Sequence, residues 1–345
     1  MSAAPRFLEM LKKKTFSSGS TTSFESTDSL DSVSSSSSTA SSPSKVTSQL
    51  SNHHILIKGH RLHPGMSAQY RVMEKLGEGG FGVVYRALRQ STRQQVAIKV
   101  IYKDRLTGSR LIQCSELGQI PVEVYILRRL NHPCIIRLID LYQDDHFYYM
   151  ITELAGANWR SDKTSAAAPR DLFEAIDSRS GLTEEQARHV FRQVISAVAY
   201  LQLQYSLVHR DIKDENICVD ADLNIKLIDF GSVARFAAPA KDEKDYFQKF
   251  YGTVSYSAPE QVRGEKYRGP EAEMWSLGCL LYTCLKNQNP FDNTQATLTH
   301  DPLPNVRAMC SPECADLIRW LLAKNPAERA TIQDVLAHPW LKSSK

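Results

Sequence analysis

Between Leu207 and Val219 the chain reads LVHRDIKDENICV, which sets a carboxylate at Asp211, an ammonium at Lys213 and an amide at Asn216 in one polar loop between apolar runs. Upstream, LGEGGFGVVY places Gly77, Gly79 and Gly82 in GxGxxG spacing. Glycines spaced in this way let backbone amides close on phosphate oxygens with no side chain in between. Downstream, IKLIDFGS carries a second carboxylate, Asp229, followed by Phe230 and Gly231. Taken singly, each piece reads equally well as a solvated turn or a hairpin connection. Lys99 raises a sharper question, because QVAIKV sets it in an apolar run, where an ammonium needs an anion or a route to water. Glu123, on the next helical segment, is the obvious counter-charge.

The elements that must position these groups are legible from texture. From Tyr70 the chain runs in short strand-like segments: YRVMEKLG, GVVYRALR, QVAIKVIY, IIRLIDLY and FYYMITEL. A strand follows the glycines, where a dinucleotide-binding fold would place a helix. Between the third and fourth segments PVEVYILRRL predicts a helix, with Val122, Tyr125, Ile126 and Leu130 near helical spacing. After residue 170 the pattern turns helical. LTEEQARHVFRQVISAVAYL opens on Thr183 and Gln186, spaced as a capping box, and puts Val190, Phe191, Val194, Ile195, Val198 and Leu201 on one face. Ser311 with Pro312, and Thr331 with Asp334, mark two later helix starts. Residues 1–68 are expected to be a disordered Ser/Thr-rich tail, because residues 15–51 lack the apolar groups that repay ordering entropy. That tail is either a passive extension or a phosphorylated regulatory segment, with Ser42 before Pro43 and Thr15 after Lys12, Lys13 and Lys14.

Composition narrows the function classes. The chain has 345 residues, 42% hydrophobic and 23% charged, ordinary for a soluble protein with a two-lobed core. Its longest apolar stretch, near Met274 to Leu285, is interrupted by Ser276, Gly278 and Thr283 and falls short of the roughly 20 residues a membrane span needs. The start MSAAPRFLEMLKKKTF shows no signal-peptide apolar segment. Seven cysteines, an odd number with no CxxC pair, suggest neither a disulfide framework nor a zinc cage. An intracellular, cytoplasmic location is therefore expected, with the nucleus left open. A net charge of +4 with no basic block argues against nucleic acid; no membrane partner is expected, and the chain is expected to be a monomer.

A glycine loop, a VAIK lysine, a helical glutamate, HRDxKxxN, DFG and YSAPE at residues 256–260 occur in one order at compatible spacings. In this the chain resembles the eukaryotic protein kinases over residues 70 to about 340. The resemblance implies an α+β, bilobal fold with a strand-rich N-lobe (70–153), a hinge (153–156) and a helical C-lobe (157–340), with ATP and Mg²⁺ between the lobes. Within it, Leu76, Gly77, Glu78, Gly79, Gly80, Phe81, Gly82, Val83 and Val84 would enclose the nucleotide. Leu76, Val84, Ala97 and Cys218 would wall the adenine, Thr152 would be the gatekeeper, and Glu153 to Ala155 the hinge. Lys99, paired with Glu123, would contact the phosphates, and Asn216 and Asp229 would hold Mg²⁺. Asp211 would accept the substrate hydroxyl proton and Lys213 would steady the transferring group. Lys213 together with Thr253 matches the serine/threonine class rather than the tyrosine class.

DLFEAID with FRQVISAVAYLQ, HRDIKDEN and YRGPEAEMWSLGCLLYTCL look most like the calcium/calmodulin-kinase-type group, closest to PAS-domain and Pim-type kinases. Glu273 stands where most kinases carry an aspartate that holds the catalytic loop, which puts the fine geometry there in question. Between Val233 and Gly252 there is no Ser or Thr, so Arg210 has no loop phosphate to pair with, and activity without activation-loop phosphorylation is expected. Asp242, Glu243 or Asp245 could supply the negative charge instead, or could simply be solvated. Asp171, Glu174, Asp214 and Glu215 match positions where related kinases meet basic residues upstream of the acceptor, and Arg329 fits an ion-pair partner for Glu260. The competing readings are a scaffold that has lost catalysis and a small-molecule kinase. Lys99, Asp211 and Asp229 argue against the first, and Ala258, Pro259 and Glu260 against the second.

Overall fold

QVAIKVIY and FYYMITE are apolar at nearly every position, the mark of strands covered on both faces. In the computed structural model these are β5 (Gln95–Tyr102) and β9 (Phe147–Glu153), two of the three inner strands of a five-stranded antiparallel sheet ordered β3–β4–β5–β9–β8. The other members are β3 (Tyr70–Gly79), β4 (Gly82–Arg89) and β8 (Leu138–Gln143). The structure describes residues 56–57, 59–156, 171–237, 246–302, 306, 308 and 310–342.

Side-chain alternation divides the sheet's duties. Val96, Ile98 and Val100 on β5 and Tyr149 and Ile151 on β9 face one apolar layer. The intervening residues Ala97 and Lys99 pair in register with Thr152 and Met150 and face the other way. What seals the first layer corrects the expected tail. Strands β1 (Leu56–Ile57) and β2 (His60–Arg61) and helix α1 (Pro64–Gln69) bring Ile57, Leu62 and Met66 onto it. Residues 56–57 and 59–68 are thus part of the fold, because a sheet with two apolar faces needs a cover on each. The rest of the expected tail lies outside the described residues.

A hairpin unmarked in the sequence, β6 (Leu111–Cys114) with β7 (Gly118–Pro121), leads into helix α2 (Val122–Leu127). The buried face of α2 is Glu123, Val124 and Leu127, with Val122, Tyr125 and Ile126 only half-buried and Leu130 beyond its end. The expected face is rotated because Glu123 turns inward to meet Lys99.

The second lobe packs helices around one core. Helix α3 (Leu172–Asp177) precedes α4 (Glu184–Ala199), whose capping box between Thr183 and Gln186 forms as predicted. Val190, Phe191, Val194, Ile195 and Val198 are buried along it, and a π-helical turn, Tyr200–Gln204, extends its end. Short strands follow: β10 (Leu207–Val208) pairs with β13 (Ala234–Arg235), and β11 (Ile217–Val219) with β12 (Ile225–Leu227). After α5 (Pro259–Val262) the central helix α6 (Gly269–Lys286) buries Met274, Trp275, Leu277, Leu280 and Leu281. Helices α7 (Thr294–Thr299), α8 (Pro312–Leu321), α9 (Ile332–Ala337) and α10 (Pro339–Lys342) complete it. The Ser311 cap and the Thr331–Asp334 capping box both form.

Candidate active site

The glycine loop is the turn between β3 and β4. A Cβ at Gly82 would lie 2.0 Å from the Val100 carbonyl oxygen, so the approach of β4 to β5 excludes a side chain there. At Gly77, Gly79 and Gly80 a Cβ would meet nothing within 4 Å, so packing within the protein does not account for these three. Glu78 is exposed and bonded to Lys75, and Phe81 is 39% exposed at the tip. Val83 departs from its expected place. It is opposite Val100 in register and belongs to the outer apolar layer, so only its backbone borders the cleft.

On the inner face Val84 pairs with Lys99 and Ala97 with the buried Thr152. Leu76, Ala155 and Cys218 are half-buried, and Cys218 forms a bridge with Asp171. The Glu153 carboxylate is already engaged, 2.7 Å from Lys226 Nζ and accepting from the Arg137 amide at 3.0 Å.

Lys99 Nζ donates to both Glu123 oxygens, at 3.0 and 2.8 Å, and to Asp229 Oδ1 at 3.2 Å. Burial alone would lower the Lys99 pKa, but the two carboxylates outweigh it and hold the ammonium charged. Lys99 in turn pulls Asp229 down to about 2, whereas burial pushes Glu123 up. The Phe230 amide donates to Glu123 at 3.3 Å, and the Phe230 ring is buried edge-on to His209. This packing ties the DFG turn to α2.

In the HRD loop Asn216 Nδ2 donates to the Asp211 carbonyl and to its Oδ2, at 2.8 and 2.9 Å. Thr253 Oγ1 donates to Asp211 Oδ1 at 2.9 Å, so both carboxylate oxygens are oriented. Lys213 lies 2.9 Å from Glu215. Glu273 settles the question its extra methylene raised. Its Oε2 accepts from the His209 and Arg210 amides at 2.6 and 3.0 Å, and Gln202, on the π-helical turn, donates to Oε1 at 3.3 Å. The longer side chain therefore reaches the loop backbone. Burial pushes its pKa up to about 7, against the pull of those donors.

Arg210 and Asp229 hold left-handed backbone, φ 65° and 59°, a conformation that costs a non-glycine residue energy and clusters at functional sites. Arg210 Nε donates to the Ser232 carbonyl at 2.6 Å, and its guanidinium lies 5.0 Å from the Phe247 ring and 4.5 Å from the Tyr251 ring. At Gly252, φ 116°, a Cβ would stand 2.5 Å from the Arg210 carbonyl oxygen. The activation segment is thus pressed against the catalytic loop. Asp242, Glu243 and Asp245 lie outside the described residues.

The acidic positions divide. Glu174 and Glu215 are exposed, while Asp171 caps α3 by accepting from the Glu174 amide at 2.8 Å. Asp214 is corrected. It is 5% exposed and accepts the Tyr256 hydroxyl at 3.0 Å, so it is sealed away from any peptide. Sequence reasoning assigned no part to Gln202, Arg105 or Arg110. No spacing rule links them to the motifs, and only the fold brings them near.

A strand lobe and a helical lobe, with an ammonium–carboxylate pair and an oriented aspartate between them, define the architecture of a protein kinase. Residues 70–341 match the protein kinase domain, and the chain belongs to that family. It is 36% identical over 276 residues to a PAS domain-containing serine/threonine-protein kinase of Mus musculus, covering 79% of this chain and 18% of the relative. It is also 36% identical over 288 residues to the NUAK family SNF1-like kinase 2 of Homo sapiens, covering 83% and 42%. With a carbon catabolite-derepressing protein kinase of Candida glabrata the identity is 34% over 277 residues, covering 79% and 41%. The chain spans less than half the length of these relatives. The domain is a eukaryotic serine/threonine kinase catalytic domain.

Proposed function

We propose that this chain transfers the γ-phosphate of ATP to serine and threonine hydroxyls of protein substrates. The observation that carries the reading is the Lys99–Glu123–Asp229 triad beside a loop whose Gly77, Gly79 and Gly80 are not required by any contact within the protein. A ligand whose oxygens approach the backbone explains both. Asp211, with both oxygens oriented, would take the hydroxyl proton, and Lys213 would offset charge on the moving phosphoryl group.

The residues fit Mg²⁺. Asn216 and Asp229 offer hard oxygen donors, and no group of three or more His, Cys, Asp or Glu side chains that could hold a metal forms among the described residues. Mg²⁺ commonly takes one or two protein oxygens and fills its shell with water and phosphate. When bound, it would neutralise phosphate oxygens; Asp229, held well below the usual carboxylate range by Lys99, stays ionised to receive it.

Two finer readings belong to the same proposal. Exposed Glu174 and Glu215 favour substrates with basic residues before the acceptor. Transfer does not require Ser/Thr phosphorylation of the activation segment, because Arg210 is already held by two rings and a carbonyl. The test is transfer from ATP to an arginine-containing serine peptide by the full chain, beside Asp211→Asn. The variant is expected to lose roughly 10²- to 10⁴-fold, and the wild type to keep its rate after phosphatase treatment. Equal rates in both proteins would overturn the catalytic assignment. A rate lost on dephosphorylation would overturn phosphorylation independence.

A further inference from the structure

The stretch between Lys99 and Glu123 carries two arginines that reach the glycine loop. Arg105 Nη1 donates to the Gly80 carbonyl at 2.9 Å. The Arg110 guanidinium lies 4.0 Å from the centroid of the Phe81 ring, while its Nη1 donates to the Gly231 carbonyl at 2.9 Å. We propose that Arg110 is a positioning residue that latches the glycine loop closed over the nucleotide, gripping Phe81 on one side and the DFG turn on the other. This rests on the ATP reading above and goes beyond it, because none of the kinase motifs includes Arg110.

Three observations support the latch. Phe81 is a large apolar side chain, 39% exposed at the tip of a loop with three open glycines, and a planar guanidinium covers it. Among the described residues Arg110 has no carboxylate partner, so its charge is met only by ring faces and a carbonyl. It also stands close to the metal-binding position: a side chain added at Gly231 would meet Asp229 Oδ1 at 3.2 Å and Arg110 Nη1 at 3.7 Å. An unpaired cation there favours an anionic ligand in the cleft. The same guanidinium lies 6.0 Å from the Tyr251 ring, which Arg210 approaches at 4.5 Å from the catalytic loop. Loop closure is thereby linked to the seating of the activation segment.

The experiment measures kcat and the KM values for ATP and peptide on the full chain for the wild type, Arg110→Met, Phe81→Leu, the double variant and Arg110→Lys. Arg110→Met and Phe81→Leu are each expected to raise the KM for ATP about fivefold, the scale of one cation–π contact, with the KM for peptide unchanged. The double variant is expected to be no worse than the poorer single one, because both remove one shared contact. Arg110→Lys should recover only part, because an ammonium lacks the planar fork. A KM for ATP within twofold of wild type in both singles, or single effects that multiply in the double, would overturn the latch. Thermal unfolding of each variant, with equilibrium binding of a non-hydrolysable ATP analogue at low temperature, applies the same criteria to any variant that is merely unstable. A wild type that neither binds nor uses ATP would sink the kinase reading itself; a normal wild type with unaltered variants would sink the latch alone.

Discussion

Two buried ion pairs of similar chemistry sit in this domain and do different work. Arg329 makes two bonds to Glu260, at 2.8 and 3.0 Å, and further bonds to the Glu271 and Ala323 carbonyls, with side chains 0% and 5% exposed. Lys99 also makes two bonds to its glutamate, but shares itself with an Asp229 whose side chain is 48% exposed. The first pair is closed on all sides and can only hold α5 to the base of the helical lobe. The second has one wall missing, and that opening is where a phosphate can enter. A buried charge pair becomes a site when its shell of partners is left incomplete on the solvent side.

The comparison breaks most visibly by removing one cation from each pair. Lys99→Met is expected to cost roughly 10²- to 10³-fold in transfer with a smaller loss of melting temperature than the closed pair shows, since half-exposed Asp229 can turn to water. Arg329→Ala should do the reverse. It leaves Glu260 buried without its partner, a loss of about 3 to 5 kcal/mol, seen as a fall of roughly 10 °C or more in melting temperature. Its kcat, measured well below that temperature, should stay near wild type. Equal thermal losses in the two variants would show that the cleft pair is structural as well.

Glu273 sharpens the contrast as a buried carboxylate held by amides, with no ion pair within bonding distance among the described residues. Its pKa rises from 4.5 to about 7, so between those values the folded protein holds a proton that the unfolded chain releases, and stability falls as pH rises through that window. Glu273→Gln removes the titration. Its stability relative to wild type is expected to improve by roughly 2 to 3 kcal/mol between pH 5 and pH 8, read from denaturant melts. Parallel curves for the two proteins would show that Glu273 stays ionised throughout. The smallest expected effect is at Thr253, which orients Asp211 through one hydrogen bond. Thr253→Ala should lower kcat roughly five- to tenfold and leave the melting temperature unchanged.

Several features were open to a reader of the chain alone because their causes are local. The capping boxes at Thr183 and Thr331 depend on side chains three residues apart meeting one helix turn. The five strands of the main sheet, β3, β4, β5, β8 and β9, follow from short runs of apolar and β-branched residues. The order of glycine loop, lysine, glutamate, HRD and DFG likewise indicated which groups would meet, with the glycines, HRD and DFG in turns, Lys99 inside a strand and Glu123 on a helix.

What the chain alone left undecided depends on which surfaces finally touch. Ile57, Leu62 and Met66 look like part of a tail until a sheet with two apolar faces needs their cover. Asp214 reads as a surface acid until Tyr256, 42 residues away, closes over it. Glu123 rotates α2 because Lys99 sits on a strand facing it. Arg110 acquires Phe81 and Gly231 as neighbours only when the hairpin, the glycine loop and the DFG turn converge. Residue type and short-range spacing set which elements form and which chemistry they carry. Burial, pKa and the partners of long polar side chains depend on contacts between residues far apart in sequence, and only the folded structure brings those together.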